Sequence, residues 1–307
     1  MDIETIDQEG RVKEKIIYKS QMLHYGLYTH MSEAYYFTEI PWHWHEEFEF
    51  GYVLGGKLGY KTNHREFILQ EGDGVFINSG ALHALYPVGE AGKIKLQSQF
   101  FDRTFLGGTR GSIFDMKYVA PVVEQKWMEA VPVYRKDPEG RKVLEFLKEG
   151  IRLSQEGEAF YEFRLRSLFS RLWETVYGWA MEERKGEQVY NGLEDERIKQ
   201  MMAYVQEHYG EKISVKEMAA QVPISERECY RLFQKGLGLT PVDYMLSYRL
   251  QKSQELLAAT EKSILDIALE TGFGTSSYFG KWFRKHYGMN PKAYREMCRE
   301  GNQTADM

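Results

Sequence analysis

After Leu193 the chain writes one pattern twice, and this repetition restricts the fold more than any other feature of the sequence. Ser225, Phe233, Gly238, Leu239, Thr240, Pro241 and Tyr244 return fifty residues later as Thr275, Phe283, Gly288, Met289, Asn290, Pro291 and Tyr294. The earlier stretch Ser214-Val-Lys-Glu-Met-Ala219 matches Ser263-Ile-Leu-Asp-Ile-Ala268 at an offset of forty-nine. A shared offset over so many positions means one supersecondary unit made twice. Each copy opens on a capping-box pattern, Ser214 with Glu217 and Ser263 with Asp266, which predicts a short helix. A breaker follows, Gln221-Val-Pro-Ile or Thr271-Gly-Phe-Gly274, and then a new N-cap, Ser225 or Thr275, opens a second helix. Two helices joined by a tight turn make a helix-turn-helix.

The second helix of each copy has one apolar face. In copy one Cys229, Leu232 and Phe233 share it, which leaves Arg227, Tyr230, Arg231 and Gln234 outside. In copy two Phe279, Trp282 and Phe283 pack, which leaves Ser276, Ser277, Gly280, Lys281 and Arg284 outside. Short polar and cationic groups suit a helix lying in the major groove of double-stranded DNA. Arg227 and Arg231 have the fork geometry to read guanine, whereas Lys281 and Arg284 suit phosphates. A lone exposed Arg or Lys is usually only a solvated group; the paired arrangement argues for more. A helix from Pro241 to about Leu257 would brace the copies, so that they enter successive major grooves about 34 Å apart.

The rest of the chain reads differently. Its 307 residues, 43% hydrophobic and 28% charged, suffice for two folded domains. Residues from about 15 to 130 alternate in short runs such as Phe48 to Leu54 and Ile94 to Phe101, which predicts an all-β region. At Asp137-Pro138 an N-cap and a first-turn proline open a helix. A second helix, Glu158 to Arg184, has Leu165, Leu168, Leu172 and Val176 on one stripe with Phe169, Trp173 and Tyr177 beside it. One stripe can cover the β-domain while the other meets a twin helix in a homodimer, or both can be core of the same chain. Lys185 to Gly192 reads as a linker. The boundaries expected are 1–136 for the β-domain, 137–192 for a helical connector with linker, and 193–307 for the repeated helices.

Cys229 and Cys298 sit within helical patterns and suggest neither a disulfide framework nor a thiolate metal site. The first ten residues lack an apolar core and no stretch approaches the length of a membrane span, so a cytoplasmic protein is expected. The net charge of −5 gives no sign of nucleic acid. Residues 193–300 hold 16 Lys and Arg against 15 Asp and Glu, so any DNA argument rests on where the charges sit.

The stretch Ile264 to Arg295 resembles the signature of the AraC/XylS family of bacterial regulators almost throughout. It departs at Thr275 and Ser276, where members often have Asp and Gln, and copy one departs at Pro223, where Gly is more usual. Residues 20–130 look like the sugar-sensing cupin barrel that precedes many such domains, and the helices after it resemble the family's dimerisation region. The resemblance implies an N-terminal cupin-like β-barrel, a helical connector and a C-terminal all-α domain with two helix-turn-helix units. It implies a non-catalytic regulator that binds double-stranded DNA and a small-molecule effector, with sugars among the candidates. RNA polymerase and a second copy of the chain are the protein partners it suggests.

His43-Trp-His45, then Glu49, then Gly56, fits the cupin metal motif HxH(x)3E(x)6G, and Gly72 to His83 supplies a fourth ligand in a second motif. There Asn78 stands where Pro is usual, and Pro87 where Asn is usual. A single strand would turn His43, His45 and Glu49 to one face, the barrel interior. Three histidines and a carboxylate suit Fe, Mn, Ni or Zn. The same groups can instead line a metal-free pocket and hydrogen-bond an effector. Trp42 and Trp44 alternate with the histidines and should face out of the barrel or into its mouth, where Trp44 can stack on an effector or simply pack. Two other readings stay open: a cupin-type metalloenzyme fused to a DNA-binding unit, and a protein-interaction role for the C-terminal helices.

Overall fold

The computed structural model describes residues 5–6, 12–13, 16–18, 22–31, 39–89, 94–125, 127–183 and 192–305. The linker expected over Lys185 to Gly192 lies outside them except for Gly192. The chain divides into two compact units, one holding chiefly residues 42–192 with 13–33, the other chiefly residues 193–307.

Near the start of the chain β1 (Thr5–Ile6) pairs with β2 (Val12–Lys13). Nine more strands follow: β3 (Tyr25–Met31), β4 (Ile40–His43), β5 (Phe48–Gly55), β6 (Lys57–Thr62), β7 (Glu66–Gln70), β8 (Gly74–Ile77), β9 (His83–Pro87), β10 (Lys95–Phe101) and β11 (Ala130–Val133). They form a five-stranded sheet in the order β11-β8-β5-β10-β3 and a four-stranded sheet in the order β4-β9-β6-β7. The expected barrel is thus two antiparallel sheets facing each other. Strand alternation sorts β5 cleanly: Phe48, Phe50 and Tyr52 join an aromatic layer with Phe76 and Phe101, while Glu49, Gly51 and Val53 point the opposite way, between the sheets.

Residues 102–123 depart from the all-β expectation. They hold α1 (Arg103–Gly107) and a π-helical turn, Asp115–Val119, that runs into α2 (Ala120–Val123). Local polar bonds set this segment. Asp102 caps α1 by accepting from the Thr104 and Phe105 N–H groups, and buried Asp115 pairs with Arg103 and accepts from the Gly111 N–H.

The helix expected at Asp137 is α3 (Pro138–Glu156), with Asp137 at the N-cap position but no side-chain cap bond. It is followed by α4 (Tyr161–Glu183). Leu165, Phe169, Leu172, Trp173 and Val176 are all buried on the aromatic layer, with Leu168 and Tyr177 packed beside them. Both stripes of α4 therefore pack against the core of this unit.

The main part of the second unit is helical among the described residues: α5 (Gly192–His208), α6 (Val215–Ala220), α7 (Glu226–Leu237), α8 (Pro241–Ala259), α9 (Ile264–Glu270), α10 (Ser276–Tyr287) and α11 (Pro291–Ala305). The repeat is thus three helices long, α6-α7-α8 and then α9-α10-α11. Ser214 and Glu217 make a full capping box. The second box is only half formed: Ser263 accepts from the Asp266 N–H and donates its hydroxyl to the Asp266 carboxylate. The shift in offset from forty-nine to fifty falls within the first helix, which has 6 residues in α6 and 7 in α9; the turn after α9 differs in kind, with Gly272 and Gly274 at φ of 75° and 73°. In α8 Tyr244 meets Phe233 of copy one, and Leu246, Leu250 and Leu257 join Phe279 and Phe283 of copy two. One helix thereby serves both cores.

Candidate functional site

Two sets of residues concern function, one in each unit. In the first, His43, His45 and His83 each place a ring nitrogen within 4.8 Å of the others. His45, Glu49 and His83 are buried, and His43 is half-buried. The spacing that suggested one strand has a different origin: β4 ends at His43, the chain bends at Glu46 and Glu47, and Glu49 lies on β5 of the opposite sheet. His83 arrives at the start of β9 beside Thr62. The site is built across the two sheets, which a bend can do and a straight strand cannot.

Its electrostatics follow from hydrogen bonds that fix the rings. His45 Nδ1 donates to the Glu47 carbonyl at 3.0 Å, and His83 Nδ1 donates to the Ala81 carbonyl at 2.9 Å. Carbonyls only accept, so each Nδ1 bears a hydrogen and each Nε2 is turned inward. The Nε2 atoms stand 3.3 and 3.5 Å from Glu49 Oε2, while Ser98 donates to Glu49 Oε1 at 2.7 Å. Burial raises the Glu49 pKa, but hydrogen bonds and charge from His45 and His83 outweigh it and hold the carboxyl well below the usual range.

Three more residues belong to this cluster and were not singled out from the sequence. Ser98 sits on β10, aligned with Gly51. Tyr60 on β6 is fully buried and its hydroxyl has no hydrogen-bond partner among the described residues. A Cβ on Gly51 would lie 3.1 Å from that hydroxyl and 2.9 Å from Val75, so glycine there makes its room. Burial and the Glu49 charge push the Tyr60 phenol well above its ordinary value. His30 on β3 completes the set: burial lowers its pKa, and the Glu49 charge pulls the other way. Alternation within each strand was readable, but the pairing of strands into two facing sheets was not. Trp42 and Trp44, expected at the surface or mouth, are buried at 8% and 6% exposure.

In the second unit every residue marked for DNA is exposed: Arg227, Tyr230, Arg231 and Gln234 on α7, and Ser276, Ser277, Lys281 and Arg284 on α10. Cys229, Leu232 and Phe233 are buried behind the first set, and Phe279 and Phe283 behind the second, with Trp282 half-buried. Each helix is set by its cap, Ser225 accepting from the Glu228 N–H and Thr275 from the Tyr278 N–H. Each stops at a left-handed glycine, Gly238 or Gly288. Arg249, deeply buried on α8, was not anticipated: it donates to the Tyr209 and Glu211 carbonyls at 2.8 and 2.6 Å, tying α8 to the end of α5.

Comparison with known proteins gives two family matches. A model described as an AraC-like ligand binding domain matches residues 30–172, and one described as a helix-turn-helix domain matches residues 218–297. The HTH-type transcriptional regulator YdeC of Bacillus subtilis is 28% identical over 266 residues, 84% of this chain and 87% of that protein. The HTH-type transcriptional activator RhaS of Klebsiella pneumoniae is 35% identical over 102 residues, 33% of this chain and 37% of its own length. The melibiose operon regulatory protein of Escherichia coli is 35% identical over 107 residues, 35% of each chain. The last two matches span only about a third of those regulators. No helix among the described residues is long and apolar enough to cross a membrane.

Proposed function

Since the chain belongs to the AraC family of DNA-binding transcription regulators with an N-terminal ligand-binding domain, we propose that a small molecule held between its two sheets controls how α7 and α10 occupy a promoter. The observation that carries this reading is the pair of capped helices, each backed by a buried aromatic or apolar row and each presenting an exposed polar and cationic face. Arg227, Tyr230, Arg231 and Gln234 would contact one major groove, and Ser276, Ser277, Lys281 and Arg284 the next. Arg231→Ala combined with Lys281→Ala should abolish salt-sensitive binding to the cognate promoter fragment. Undiminished binding by a folded double variant would refute it.

The effector site in this proposal is His43, His45, Glu49 and His83, extended by Tyr60 and Ser98. A polyhydroxylated molecule fits its chemistry, because the cluster offers a carboxylate acceptor, inward imidazole nitrogens and a buried hydroxyl. A relative named as the melibiose operon regulatory protein makes sugars the first compounds to test. Trp44 is buried beside His43 and His45 in sequence and is proposed as apolar backing for such a ligand. A thermal-shift screen reads the result directly, since a ligand that binds only the folded state raises its melting temperature. A differential affinity worth about 1 to 3 kcal/mol between two conformations is enough for a switch.

One observation favours a second occupant. With both Nδ1 atoms donating to carbonyls, the Nε2 atoms of His45 and His83 face the Glu49 carboxylate, and that arrangement calls for positive charge there, supplied either by a proton on each Nε2 or by a cation held among them. A divalent metal held by His43, His45 and His83, with Glu49, would supply it, and the Glu47 and Ala81 carbonyls that accept from the Nδ1 atoms are of the kind that orient metal-binding imidazoles. Metal analysis of protein purified without chelator tests this. Near-stoichiometric metal, lost in His83→Ala, would also reopen the reading of a cupin-type metalloenzyme fused to a DNA-binding unit. The proposed place of action is the cytoplasm, and the proposed protein partners are RNA polymerase and a second copy of the chain. Sedimentation at several concentrations tests the homodimer.

A further inference from the structure

The two DNA-facing helices are not equivalent in charge. α7 contains three cations, Arg227, Arg231 and Lys235, against two carboxylates, Glu226 and Glu228. α10 contains Lys281, Arg284 and Lys285 and no carboxylate. The difference grows when neighbours are included. Glu194, in the first turn of α5, accepts from Arg231 Nη2 at 2.8 Å and from Lys235 Nζ at 2.6 Å. Glu228 accepts from Arg231 Nε at 2.8 Å and Nη2 at 2.7 Å. Two cations of α7 are thus matched by two carboxylates, whereas among the described residues no carboxylate pairs with Lys281 or Arg284. Glu194 is the unusual member, because it comes from another helix and is mostly covered, at 17% side-chain exposure.

We infer that Glu194 is a positioning residue that holds Arg231 and Lys235 away from DNA, so that α10 grips the duplex first and α7 engages only when the first turn of α5 gives up its two cations. The inference rests on the reading of α7 and α10 as DNA-facing. The donors that Glu194 occupies are those a phosphate oxygen or a guanine edge would accept from. Exposed ion pairs of this kind are weak and screened by salt, so the clamp lowers affinity without abolishing it. α5 begins at Gly192, directly after the segment that joins the units in sequence. Its first turn is therefore the part of the DNA-binding unit nearest in sequence to the ligand-binding unit, and fraying or pulling of that turn would release both cations together.

The test uses the full chain and a random-sequence duplex, so that no operator need be known, with affinity measured from about 50 to 200 mM salt. Glu194→Gln should bind more tightly than wild type at low salt. Its slope of log affinity against log salt should steepen by about 0.9 for each cation handed to a phosphate, an extra loss of roughly threefold per cation over that range. In the Arg231→Ala, Lys235→Ala background the same substitution should give no gain. Unchanged or weaker binding by Glu194→Gln would overturn the inference, and so would a gain that persists without the two cations, which would be a general charge effect. Melting temperatures within error of wild type confirm that the variants are folded. The underlying reading fails separately: Lys281→Ala with Arg284→Ala would then leave DNA binding intact.

Discussion

At the scale of single residues, the legible part of the site was the part that a local motif spells out. His43, His45, Glu49 and His83 follow from spacing, and three of the four are buried. Tyr60, Ser98 and His30 did not follow: Ser98 and His30 enter through the pairing of β10 and β3 into the sheet of β5, and Tyr60 reaches Glu49 and Gly51 because β6, next to β5 in sequence, belongs to the facing sheet. In the same way the exposure of Arg231 followed from helix periodicity, but its partner Glu194 lies 37 residues earlier and no periodicity points to it. The Tyr60 hydroxyl also yields a stability prediction. A buried hydroxyl without a partner costs about 1 to 3 kcal/mol that the ring alone would not. Tyr60→Phe should therefore leave the ligand-free protein as stable as wild type or up to about 1 kcal/mol more stable in urea unfolding. The melting shift produced by a stabilising effector should shrink in the same variant. A fall in ligand-free stability would show that the hydroxyl has a partner.

At the scale of elements, caps and breakers placed the C-terminal helices because their signals lie within a turn of the residues they act on. The segment 102–123 was missed for the opposite reason: its helices rest on Asp102 and on the contact of Asp115 with Arg103, which alternation does not record. Copy two adds a bracket of its own. Gly272 has φ of 75°, and a Cβ there would lie 2.3 Å from the Tyr209 carbonyl and 2.8 Å from the Arg249 guanidinium. Gly238 has a similar φ of 67° but open space around it. Both Gly→Ala changes meet backbone strain of about 1 to 3 kcal/mol, and only Gly272→Ala adds a clash with backbone. Gly272→Ala should destabilise the helical unit clearly more than Gly238→Ala in chemical denaturation; equal losses would mean that the Arg249 bracket does not hold the turn. Removing a cap, as in Thr275→Ala, should cost about 1 kcal/mol.

At the scale of the whole molecule, charge alone would have pointed away from nucleic acid, since the chain is at −5 and its helical unit is nearly balanced. Long-range attraction to DNA is then weak, and binding has to come from a few cations held at a fixed spacing. α8 supplies that spacing, because its Tyr244 is in the core of copy one while Leu246 and Leu250 are in the core of copy two. A rigid pair of readers has a consequence that a single reader or a flexible basic tail does not. On the proposed reading each half reaches one major groove, so contact with both needs a duplex of about two helical turns, roughly 20 bp. Shortening the duplex to about 10 bp leaves room for one half only. The salt slope should then fall towards the share supplied by one helix, and Lys281→Ala should erase most of what remains if α10 is the half that stays bound. A slope that does not change with duplex length would mean that only one of the two copies ever touches DNA, whatever the sequence repeat suggests.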